Sequence, residues 1–70
     1  MGLLVAPIDG RIVEVFVSVG DKVEIDDEML ILEALKMENP ICTDKCGQVV
    51  EVRVKKGDEV KEDQILVIIE

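Results

Sequence analysis

The chain has 70 residues, 49% of them apolar, with one aromatic (Phe16) and neither Trp nor Tyr. That is one domain at the small end of what can bury a core unaided, and its Val, Ile and Leu content favours strands. The formal charge of −8, from 16 acids against 8 bases, argues against binding a nucleic-acid backbone and suits a dispersed protein that meets basic surfaces on its partners. No apolar run can span a bilayer, because Leu3-Leu4-Val5-Ala6 is broken by Pro7. A basic start followed by a long apolar stretch, the mark of a signal peptide, is missing, and Ala6 stands where a myristoylation signal needs Ser or Thr. The expectation is a cytoplasmic protein without direct membrane insertion. Cys42 and Cys46 are the only thiols and there is no His, which leaves no ligand set for a closed zinc site. A disulfide between them would staple almost nothing, so two reduced thiols are expected, at least one a small buried hydrophobe.

Taken in order, Leu3–Ala6 is a short strand stopped by Pro7. Ile8-Asp9-Gly10 is a turn in which Gly10 is free to take positive φ. From Arg11 the residues alternate, with Val13, Val15 and Val17 on one face and Glu14, Phe16 and Ser18 on the other, the period of a half-buried strand. Phe16 falls on the outward face, where partial cover by a neighbouring loop is expected. Val19–Lys22 turns the chain, Val23 begins a short strand, and Ile25-Asp26-Asp27 turns it again before the apolar run Met29–Leu32. Glu28–Ala34 and Met37–Cys42 then read as the two arms of a hairpin. No segment shows helical spacing with caps.

Residues 43–70 repeat residues 6–33 without a gap. Gly10 falls on Gly47, Val13 on Val50, Glu14 on Glu51, Val15 on Val52, Val17 on Val54, Gly20 on Gly57, Asp21 on Asp58, Val23 on Val60, Asp26 on Asp63, Ile31 on Ile68 and Glu33 on Glu70. Matching turn glycines as well as valines makes this an internal repeat. Two repeats are too few for a solenoid, and neither could hide its apolar face alone. Together they bury a common core between two antiparallel sheets, related by a pseudo-twofold axis. That axis puts the link between the repeats at the pole opposite the termini, so the hairpin around Lys36 protrudes while Met1 and Glu70 lie together at the other end.

The link itself is Glu33-Ala34-Leu35-Lys36-Met37-Glu38. Turns normally carry Gly, Asn, Asp or Pro. A two-residue hairpin loop of Leu35-Lys36 would need positive φ at both residues, which neither favours. Leu35 and Met37 also put apolar side chains where water-loving ones usually go. Schiff-base catalysis wants a lysine in a desolvated pocket, which a turn between Glu33 and Glu38 does not offer Lys36. Lys36 can still be the target of an enzyme that brings an activated acyl group.

The stretch Glu33-Ala34-Leu35-Lys36-Met37-Glu38-Asn39 resembles the attachment motif of biotinyl domains, Glu-Ala-Met-Lys-Met. The resemblance runs over essentially the whole chain, from Ala6-Pro7-Ile8-Asp9-Gly10 through the Gly20-Asp21 and Gly57-Asp58 turns to Ile68-Ile69-Glu70. It implies an all-β fold, a flattened barrel or barrel-sandwich hybrid of two quasi-symmetric four-stranded antiparallel sheets, filling residues 1–70 as one domain. It further implies biotin in amide linkage to Lys36, with Leu35 and Met37 flanking it for biotin protein ligase and Glu33 and Ala34 completing the motif. The implied partners are that ligase and the biotin carboxylase and carboxyltransferase or decarboxylase components of a biotin-dependent complex. The implied role is that of a carboxyl carrier, not itself an enzyme.

Two departures stand out. Leu35 replaces the usual Met, similar in volume and apolarity. Thr43-Asp44-Lys45-Cys46-Gly47 replaces the Ala-Pro-x-Asp-Gly that opens a repeat. Residues 23–29 carry no insertion relative to the second repeat, so the thumb of some acetyl-CoA carboxylase carrier subunits is absent. Two other readings stay open: a lipoyl carrier, which prefers an acidic residue before the lysine and Ala after it, and an unmodified adaptor barrel that only joins subunits.

Overall fold

A computed structural model describes residues 2–70; Met1, expected beside Glu70, lies outside the described residues. Eight strands follow in chain order: β1 (Gly2–Val5), β2 (Gly10–Val15), β3 (Lys22–Val23), β4 (Glu28–Ala34), β5 (Met37–Cys42), β6 (Gly47–Val52), β7 (Glu59–Val60) and β8 (Ile65–Ile69). There is no helix among the described residues, hence none long and apolar enough to cross a membrane. The strands form two four-stranded antiparallel sheets, ordered β1-β8-β6-β3 and β5-β4-β2-β7. The hairpin arms β4 and β5 have the bounds read from the sequence.

The two orders are the same order with the repeats exchanged, and each sheet borrows a two-residue strand from the other repeat. β3 pairs with β6, and β7 pairs with β2. The turns repeat in detail. Ser18 N–H donates to Asp21 Oδ2 at 2.9 Å, and Lys55 N–H donates to Asp58 Oδ2 at 3.0 Å. Gly20 and Gly57 take φ of 98° and 96°, and Asp26 and Asp63 take 74° and 70°. Ala6 N–H donates to Gln64 O and Asp63 N–H to Ala6 O. Thr43 N–H likewise donates to Asp27 O and Asp26 N–H to Thr43 O. The start of each repeat is thereby stitched to the last turn of the other.

Strict alternation along β2 fails at Val13. The register with β4 shifts between Ile12 and Glu14, and the register of β6 with β8 shifts between Val49 and Glu51. These β-bulges leave Val13 and Val50 unpaired and reverse which residues face inward. Ile12 and Val49 are therefore the buried core residues, whereas Val50 is exposed and Val13 only half-buried. Past the bulge the phase is restored, and Val15, Val17, Val52 and Val54 all pack on the core. The core they join contains Leu4, Ala6, Met29, Leu30, Leu32, Leu66, Val67 and Ile69.

Gly10 does not take positive φ; it is required for space. A Cβ there would overlap the carbonyl oxygen of Glu33, and one at Gly47 would come within 2.5 Å of the carbonyl oxygen of Glu70. Thr43 replaces Ala6 in the core, and its hydroxyl is satisfied locally. Its Oγ1 accepts from Lys45 N–H at 3.0 Å and donates to Lys45 O at 3.1 Å, holding the turn that Pro7 stiffens in the first repeat. Both thiols are exposed, contrary to the expectation that one is buried. Cys42 ends an edge strand on its outward face, and Cys46 sits in the turn before β6. Phe16 is 51% exposed and shares a shallow depression with Asp21, Lys22, Asp27 and Glu28, so the neighbouring turn covers it in part only.

Candidate functional site

β4 and β5 pair without a break from Leu30↔Ile41 to Ala34↔Met37, leaving Leu35 and Lys36 as a two-residue loop. Their φ values are 53° and 64°, the left-handed pair of a type I′ turn. This turn matches the right-handed twist of the flanking strands, which is why so short a loop closes here. It costs about 1–2 kcal/mol per residue relative to Gly, which has no Cβ to clash. Tertiary pairing supplies that cost: Ala34 is buried, and Glu33 is locked by pairing to both Glu38 and Arg11.

Of the five residues singled out from the sequence, the turn brings Leu35, Lys36 and Met37 together at its tip. Leu35 is 85% and Met37 64% exposed, an apolar pair on either side of a free amine. Glu33 and Ala34 form the stem below, with Ala34 turned into the protein and Glu33 half-buried on the outer face. Such an arrangement presents a primary amine on a rigid stalk, between two apolar grips, and among the described residues that amine makes no ion pair. Covalent acylation by another enzyme is the chemistry it can undergo.

An open groove of about 500 Å³ runs beside the turn. It is lined by Lys36 itself, the stem, and charged residues from β2, β7 and the turns before and after them. Across the sheet Arg11 lies opposite Glu33 on one side and Glu59 on the other. Lys61 Nζ approaches Asp9 Oδ2 at 3.8 Å, and Asp9 Oδ1 accepts from Glu62 N–H at 2.7 Å. None of Asp9, Arg11, Glu59 and Lys61 was picked out from the sequence. A signal for them exists all the same: the aligned repeat has Cys46, Gln48, Lys22 and Glu24 at those places.

Comparison with known proteins identifies the family. A family model described as "Biotin-requiring enzyme" matches residues 3–69. Over 36 residues the chain is 58% identical to the glutaconyl-CoA decarboxylase subunit gamma of Acidaminococcus fermentans, covering 51% of this chain and 25% of that one. Over 42 residues it is 48% identical to the biotin carboxyl carrier protein of Streptococcus mutans, covering 60% of this chain and 32% of the relative. The crystal structure of the Kluyveromyces lactis urea carboxylase superimposes with a TM-score of 0.90 at 33% identity, over 99% of this chain and 6% of that one. The chain thus spans a quarter to a third of the two curated relatives. With the family pattern matched from strand β1 to strand β8, the chain belongs to the family of biotin-requiring enzymes, as a biotinyl domain.

Proposed function

We propose that the chain is a biotin carboxyl carrier, with biotin joined to Lys36 Nζ by biotin protein ligase. The observation that carries this reading is the exposed type I′ turn holding Lys36 between Leu35 and Met37. The names of the relatives support it: one is a biotin carboxyl carrier protein, and others are a decarboxylase subunit and a carboxylase. When attached, biotin supplies a ureido nitrogen that takes up and gives up a carboxyl group. The chain's own residues hold and present. The paired strands keep Lys36 at one pole, and Leu35 and Met37 offer apolar contact to the ligase. The rigid sandwich lets partner subunits dock without rearranging it.

Carried between a biotin carboxylase and a carboxyltransferase or decarboxylase, the tethered group works at an effective concentration of about millimolar. The reducing cytoplasm suits an acidic chain with two exposed free thiols. A lipoyl carrier is disfavoured by Leu35 and Met37, which replace the acidic residue and the Ala expected there. An unmodified adaptor is disfavoured by the retained strain of the turn.

The test is intact-mass measurement after incubation with biotin protein ligase, biotin and ATP, beside the same reaction with lipoate and its ligase. One biotin is expected on the native chain and none on Lys36→Arg, whose fold is unchanged because the side chain is exposed. A lipoyl adduct alone, or no adduct with an active ligase, would overturn the reading.

A further inference from the structure

The groove beside Lys36 has two kinds of lining. Gly10, Glu33 and Val60 recur in the other repeat as Gly47, Glu70 and Val23, so they belong to the frame. Arg11, Glu59 and Lys61 do not recur, so the fold does not demand them; Asp9 does not recur either, but it accepts the Glu62 N–H and ties the turn before β2 to the one after β7. They occur at the one pole that carries the modifiable amine. Arg11 is unusual among them. Its neighbours in the sheet are two carboxylates, yet it makes no ion pair among the described residues. Its planar set of N–H donors is therefore uncommitted, in a groove that Lys36 also lines. Lys61, by contrast, is loosely engaged by Asp9 at the exposed rim.

We propose that this groove is an intramolecular resting site for the cyclic urea carried on Lys36. Arg11 donates to the urea oxygen, and Glu59 accepts from a ring N–H. The inference rests on the carrier reading of Lys36. A tethered group at about millimolar effective concentration needs an affinity of only about millimolar to be docked half the time. The two charge-assisted contacts together are of the right order for so weak a site. Half occupancy would shelter the head group yet leave it free to enter a partner's active site.

The test uses ¹⁵N–¹H spectra of the intact chain before and after biotinylation, with the mass checked in parallel. Arg11→Gln is the informative variant. The symmetry-related register position already carries Gln48, so the sheet accommodates that side chain. In the native chain, biotinylation is expected to shift the amides of Gly10, Arg11, Val60 and Lys61 in addition to those of the Leu35-Lys36 turn. In Arg11→Gln the turn shifts remain and the groove shifts collapse. Shifts confined to the turn in the native chain, or groove shifts that survive in Arg11→Gln, would overturn the resting site. The carrier reading would still stand, because the mass would show biotin. An unmodified mass would sink both.

Discussion

At the scale of single residues, the turn trades stability for presentation. Leu35 and Lys36 occupy left-handed conformations that Asn and Gly adopt at little cost. Leu35→Asn is therefore expected to stabilise the domain by about 1 kcal/mol, seen as a higher urea midpoint with an unchanged slope. It should also slow biotinylation, because an apolar contact beside Lys36 is lost. A variant both more stable and modified at the native rate would mean that Leu35 contributes no recognition. The requirement for positive φ was readable from the loop length and the two side chains. That the chain accepts the strain was not, because it depends on how firmly β4 and β5 pair below the turn.

At the scale of elements, the bulges in β2 and β6 decide which residues hold the core. Counting by twos from Val15 puts Val13 inside and Ile12 outside, and the structure does the opposite. Ile12→Ala should cost about 2–5 kcal/mol by leaving a cavity in a closed core. Val13→Ala should cost under about 1 kcal/mol, since its side chain is only half-buried at an unpaired position. Equal losses in thermal or urea unfolding would refute the inward assignment. The clue lay in the doublets Ile12-Val13 and Val49-Val50, each followed by Glu. Two β-branched residues in succession cannot both face one side of a regular strand. Neither pattern nor composition says which of the pair turns in, because that depends on the partner strand's register.

At the scale of the whole molecule, the exchange of β3 and β7 and the stitching of each repeat's start to the other's last turn make the halves interdependent. β1 and β3 pair only with strands of the second half. A peptide of residues 1–38 retains the β2–β4 pairing but no partner for β1 or β3. It should show no cooperative melting, whereas the full chain unfolds in a single transition. A folded half-chain with dispersed amide resonances would contradict this. Gly2 pairs with Ile69, which brings the first and last strands together in the sheet that does not carry the Lys36 turn.

The sequence by itself determined the all-β class, the pairing of β4 with β5, the internal repeat and the lysine that the turn presents. Each is written in local terms: side-chain period, turn residues, and a short motif spanning the link. Exposure of the two thiols, the phase reversal at the bulges, the steric need for Gly10 and the grouping of Arg11 with Glu59 and Lys61 around Lys36 were decided only by the tertiary structure. These depend on contacts between residues far apart in the chain. Gly10 is constrained by the carbonyl of Glu33, and Arg11 meets Glu59 only because β7 crosses from the second repeat into the sheet of the first. Local pattern records what a residue prefers; which neighbour it meets is set by the register of strands that the chain brings together from both halves.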